Sequence, residues 1–210
     1  MGRVANVTRF IAGMVIFTGV ALADYTLDFN IITPTAGSIS YAGTGGPLVG
    51  SGISVDSVVT DTGSTVTCTN CFLNFSTGNL SSYTAGDWDF AEGGTLTLTG
   101  TVDVNGNTVS GTLFSGYFAD AGVFGFGNNS FKVAIADFLI QNGPVASAFG
   151  VLLNDGDFNI SFSATTNGQS FASSQMGSGD IFAGAPEPAT IVLLGTVLLG
   201  CVAILRRRIV

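Results

Sequence analysis

Short stretches of alternating polar and apolar residues, cut by Gly, Asn and Ser, fill the middle of this chain. The clearest is TLTLTGTVDVNGNTVSGTLFSGY, Thr95 to Tyr117. Leu96, Leu98, Val102 and Val104 share one parity, and Thr95, Thr97, Thr99, Thr101 and Asp103 take the other. A period of two puts one set on each face of a strand. Asn105-Gly106 between the two halves is the signature of a two-residue hairpin turn, which needs positive φ at both positions. Such a turn pairs Val104 with Asn107, Val102 with Val109, Gly100 with Gly111 and Leu98 with Leu113, so apolar residues meet apolar residues. The same alternation recurs at Phe158, Ile160, Phe162 and Ala164.

Further strands are expected at 25–32, 38–42, 53–60, 65–77, 123–126, 131–140 and 170–182. The stretch 145–153 fits either a short helix or a strand. No segment between the two ends shows a sustained helical period. Many short strands with Gly, Asn and Ser turns predict an all-β fold, a single antiparallel β-sandwich resembling a jelly roll. A β-solenoid is the rival, but it calls for a fixed repeat, and none is visible.

The two ends differ from this pattern. Arg3 and Arg9 precede an apolar run, Phe10 to Val20, that leads into Ala21-Leu22-Ala23. A basic start, a short apolar stretch and an A-x-A site make a secretory signal peptide, with Ala21 and Ala23 setting cleavage before Asp24. At the other end, Pro186-Glu187-Pro188 stands before seventeen uncharged residues, 189–205, and then Arg206, Arg207 and Arg208. As a helix the uncharged run measures about 25 Å, at the short end of a membrane span. The arginines act as a stop-transfer signal and stay cytoplasmic by the positive-inside rule. Both ends therefore predict one topology, with the body outside. The organisation expected is a signal peptide at 1–23, an ectodomain at 24–183 and a C-terminal segment at 184–210.

The prolines have a local effect. Pro188 disfavours helix at Glu187, and Pro186 disfavours it at Ala185, so an extended tripeptide abuts the apolar run. Pro188 can itself open the helix, where a missing N–H costs nothing. This ending resembles the PEP-CTERM sorting signal of Gram-negative bacteria, on the residues from Ala185 to about Arg208. The resemblance implies recognition of Pro186, Glu187 and Pro188 by an exosortase, a membrane transpeptidase-like enzyme that cuts near the motif. It also implies an association with exopolysaccharide and biofilm, and delivery to the cell surface or extracellular matrix. The SISYAGTGGPLVGSGISVDSV and C-x-x-C-x-L-N-F segments are similar to Gly/Ser/Thr-rich β domains carried by such proteins, for which the resemblance implies no activity.

Charge narrows the function classes. Thirteen of the fourteen acids lie between Asp24 and Asp180, where Lys132 is the sole base. A body this acidic repels phosphate backbones, which excludes nucleic acid as a partner. Proton-transfer chemistry has little to work with, since the chain has no histidine and one lysine, and no G-x-S-x-G or S-x-x-K motif activates a serine. The reading is a non-enzymatic protein with no cofactor.

Three constellations compete with it. Cys68 and Cys71 form a C-x-x-C pair on a strand-like stretch. Without histidine or a second cysteine pair zinc lacks ligands, and an oxidising compartment favours a local disulfide across a tight turn at Thr69-Asn70. Free thiols or a redox site are the alternatives. Asp87 and Asp89 flank Trp88, which reads as a core tryptophan between solvated acids. Their use in a weak hydrolase would need a second acid across a cleft. The DVNGN and NDGD stretches, 103–107 and 154–157, offer oxygen ligands for calcium, though both read as plain β-turns and no metal is expected. A carbohydrate-binding module, calcium-assisted or not, is the alternative function, with Trp88 and the phenylalanines as its platform.

Overall fold

The computed structural model describes residues 26–32, 35–141 and 143–184. Eleven strands follow the alternation: β1 (Thr26–Ile31), β2 (Ser38–Tyr41), β3 (Pro47–Thr60), β4 (Thr65–Thr84), β5 (Asp87–Phe90), β6 (Gly93–Val104), β7 (Asn107–Phe118), β8 (Ala121–Gly125), β9 (Ser130–Gln141), β10 (Asp155–Asn167) and β11 (Ser170–Gly184). A six-residue helix, α1 (Pro144–Phe149), settles the ambiguous stretch: Pro144 starts it and Gly150, at φ 71°, ends it. Pro at the first turn and a left-handed glycine just past the last are the usual terminators. Val145 and Ala146 are its buried residues.

All strand pairs are antiparallel, and they form one sheet instead of the two separate sheets of a sandwich. The pairings close on themselves twice. One circuit runs β1–β3–β4–β6–β7–β9–β10–β11 and back to β1. The other runs β2–β3–β4–β5–β8–β9–β10–β11 and back to β2. The long strands β3, β4, β9, β10 and β11 belong to both. A strand of 14 or 20 residues far exceeds the typical five or six, and register shifts let it bend between circuits. Such shifts occur in the β3–β4, β4–β6, β6–β7 and β10–β11 pairs.

The expected hairpin forms. Asn105 and Gly106 take φ 54° and 81°, and Val104, Val102 and Gly100 face Asn107, Val109 and Gly111. The last expected pair fails, because Leu98 faces Phe114 and Leu113 is the extra residue of a bulge. Leu113 and Phe114 are both fully buried. The bulge turns two consecutive apolar side chains inward where strict alternation would expose one.

Aromatic rings fill much of the interior. Trp88 packs against Tyr83, Phe131 and Phe171, with centroids 5.2, 5.8 and 5.0 Å away, and Phe162 stacks on Phe131. A second group joins Phe75 to Phe118 and Phe158. Gly50 faces Phe75 across β3 and β4, and a Cβ at Gly50 would lie 2.1 Å from that ring, so the glycine makes the space the ring occupies. Trp88 is 1% exposed and donates its indole N–H to the Gln169 carbonyl at 2.8 Å, which satisfies its polar atom. Replacing Trp88 with Ala removes the hub of these contacts, and the expected loss is about 3–5 kcal/mol. Denaturant unfolding followed by circular dichroism measures it, since Trp88 is the sole tryptophan and its fluorescence goes with it.

Candidate functional site

Cys68 and Cys71 are disulfide-bonded, with Cα atoms 5.6 Å apart. Both lie inside β4, and no chain reversal separates them, so the expected turn at Thr69-Asn70 is instead a bulge in a continuous strand. Thr69 pairs with Thr101 and Phe72 with Thr99, so Asn70 and Cys71 together oppose Gly100. Asn70 takes φ 50° to make the kink. The extra residue resets parity, and both sulfurs consequently face the core. Gly100 completes the arrangement, because a Cβ there would lie 2.2 Å from the Cys71 sulfur and 2.7 Å from its Cα. Spacing alone identified the pair, while Gly100, thirty residues along, carried no local signal.

The Asp87-Trp88-Asp89 segment is β5, with Trp88 inside and both aspartates outside. The core reading of Trp88 is thus correct, and its burial removes it as a sugar platform. Asp89 accepts from the Ser82 hydroxyl at 2.5 Å. It also lines an open cavity of about 750 Å³ with Glu92, Asp120, Asp157 and the Phe124 ring. The second acid that a hydrolase needs is therefore nearby, but Asp89, Glu92 and Asp120 are all exposed. Ala91, Ala119, Ala121 and Phe158 also line the cavity between them.

The two oxygen-rich stretches also resolve. Asp103 accepts from the Gly106 N–H at 2.8 Å, so its carboxylate closes the hairpin turn. Asn154 bonds backbone to backbone with Gly184 and Ile140, and Asp155 to Asp157 belong to β10, so this stretch is strand and not a turn. Among the described residues no group of three or more His, Cys, Asp or Glu side chains is arranged to hold a metal.

Sequence reading missed Asp28. It faces Phe182 on β11, two residues from Asp180, and its Oδ1 is buried with no hydrogen-bond partner. Asp180 is itself held by the Asn159 side-chain amide. Burial first, and the Asp180 carboxylate second, push the Asp28 carboxyl above its ordinary value of 3.8. Folding thus disfavours the charged form. The cost is absent below the unfolded-state value and grows as pH rises through the folded one. Asp28→Asn is expected to raise the melting temperature at neutral pH, with the gain vanishing in acid below about pH 3.8. Melting curves of both proteins across that range check it.

The remaining predicted residues, Ala21 and Ala23, Pro186 to Pro188 and Arg206 to Arg208, lie outside the described residues, as does the expected span at 189–205. Among the described residues no helix is long and apolar enough to cross a membrane. A family model for the PEP-CTERM protein-sorting motif matches residues 185–208. No curated protein and no solved structure matches the chain. The chain thus carries a PEP-CTERM protein-sorting motif at its C-terminal end, a motif associated with exosortase processing of exported proteins.

At the disulfide, Gly100→Ala is expected to cost about 1–3 kcal/mol by overpacking. The Cys68→Ser, Cys71→Ser double variant is expected to lose less than about 3 kcal/mol, since so short a loop restrains the unfolded chain little. Denaturant midpoints of the three proteins give both values.

Proposed function

We propose that this is a non-enzymatic surface or extracellular-matrix protein, delivered through the inner membrane, held by its C-terminal segment and released or transferred when an exosortase cuts near Pro186-Glu187-Pro188. The observation that carries the reading is the sorting motif at 185–208, which coincides with a Pro-Glu-Pro triplet, an uncharged run and three arginines. A signal-peptide pattern at the other end supports the same route. The poverty of proton-transfer side chains and the exposure of the Asp89 cavity support a role without catalysis. The association of such sorting with exopolysaccharide makes matrix and biofilm the setting in which the acidic body works.

Intact-mass spectrometry of the protein from its host tests the route. The mature species is expected to start at Asp24 and to lack the residues beyond the motif. Pro186→Ala with Pro188→Ala is expected to leave the tail attached. Recovery of the unaltered chain through Val210 in cells with an active exosortase overturns the reading.

A further inference from the structure

The outer surface carries a set of exposed apolar side chains that the core does not use. Tyr117, Leu139, Leu152 and Phe182 are between 43% and 72% exposed. The strand register gathers them at one place. Tyr117 faces Leu139 across β7 and β9, Leu139 faces Asp155 across β9 and β10, and Asp155 faces Gly184 across β10 and β11. With strands about 4.8 Å apart, Tyr117 lies some 14 Å from Gly184. Phe182 is two residues back along β11, or about 7 Å. Leu152 stands two residues before Asn154, whose N–H donates to the Gly184 carbonyl at 2.9 Å. The patch therefore lies beside the point where the chain leaves the described body.

Chain length says what can cover it. Gly184 is five residues before Ala189, where the uncharged run begins. Fully extended, that connection reaches about 18 Å at most. If the run is anchored in lipid, as proposed above, the patch cannot stand farther from the bilayer than roughly its own width. We infer that Tyr117, Leu139, Leu152 and Phe182 rest on the lipid surface while the tail is attached, so the body is laid against the bilayer in a fixed orientation. A tyrosine beside leucine and phenylalanine suits the interface, where a ring can be half apolar and half wet. The Tyr117 hydroxyl accepts from the Gln141 amide at 3.3 Å at the polar edge of the patch.

The headgroup chemistry follows from the neighbours. Asp157 and Asp28 face Phe182 from either side, and Asp155 stands between Leu139 and Gly184. Carboxylates interleaved with the apolar side chains are repelled by an anionic surface and tolerated at the headgroup level of a zwitterionic one. The partner is accordingly a bilayer of zwitterionic phospholipid.

The test uses the full chain in phosphatidylcholine nanodiscs that contain a spin-labelled quencher lipid. A fluorophore on the native Cys201 reports anchoring, since Cys68 and Cys71 are bonded to each other. In a Cys201→Ser background, Leu139→Cys and Phe182→Cys report docking. Thr166→Cys, exposed at the far end of β10, is the control. Side chains settled 5–10 Å into the headgroup boundary should be quenched at least about twofold more than the control. Added phosphatidylglycerol should reduce that difference without changing Cys201. If Cys201 is quenched while positions 139 and 182 behave like 166, docking is overturned and anchoring stands. An unquenched Cys201 removes the anchor and this proposal with it. Quenching at 139 and 182 that is indifferent to phosphatidylglycerol overturns the assignment of headgroup.

Discussion

Every strand added to an antiparallel sheet leaves a row of unpaired N–H and C=O groups at its edge, and an open edge invites pairing with other chains. Closure of the hydrogen-bond ladder answers this constraint, and the rest of the fold follows from it. Two eight-strand circuits sharing β3, β4, β9, β10 and β11 pair most of the backbone internally. Sharing requires long strands, and long strands must bend. Bending is supplied by bulges, each of which shifts the parity of the side chains beyond it. The inward set is therefore fixed jointly by alternation and by where the ladder slips.

That coupling decides what could be seen in the residues alone. Asn105-Gly106 announces its hairpin because a two-residue turn has few alternatives, and three of its pairs fall where the pattern puts them. Leu113 breaks the register without a local signal, since Leu-Phe is apolar at either position. β3 begins at Pro47 and β4 continues to Thr84, beyond their expected limits, because their outer portions are Gly-, Ser- and Thr-rich and resemble loops until a neighbour pairs with them. The cysteine pair was legible from spacing, whereas its setting was not. A tight backbone at Asn70 is common to a turn and a bulge, and only the partner strand β6 distinguishes them. The acidic cavity joins Asp89, Glu92, Asp120 and Asp157 from separate stretches, so no local motif could have disclosed it. Asp28 is similar, for it is flanked by β3 and β11, and its acidic neighbour comes from β11.

The described body and the C-terminal motif are legible in different ways. Addressing information is short, linear and local, which is why Pro186-Glu187-Pro188 and the flanking patterns can be recognised without any fold. The body depends on contacts between distant strands and on rings such as Trp88 and Phe75 meeting across the interior. Its charge is almost all acidic, with its single lysine on β9. A net charge of one sign opposes the association of like copies.

The strand that leads to the tail is not at an edge. Across Gly179 to Gly184, β11 is bonded to β1 on one side and to β10 on the other. Tension applied through residues beyond 184 therefore runs along β11 and loads both ladders in shear, many bonds at once. A terminal strand on a free edge would yield one bond at a time, like a zip. The same closure that hides backbone from water thus makes the last strand a mechanical clamp, held on both sides over its final six residues.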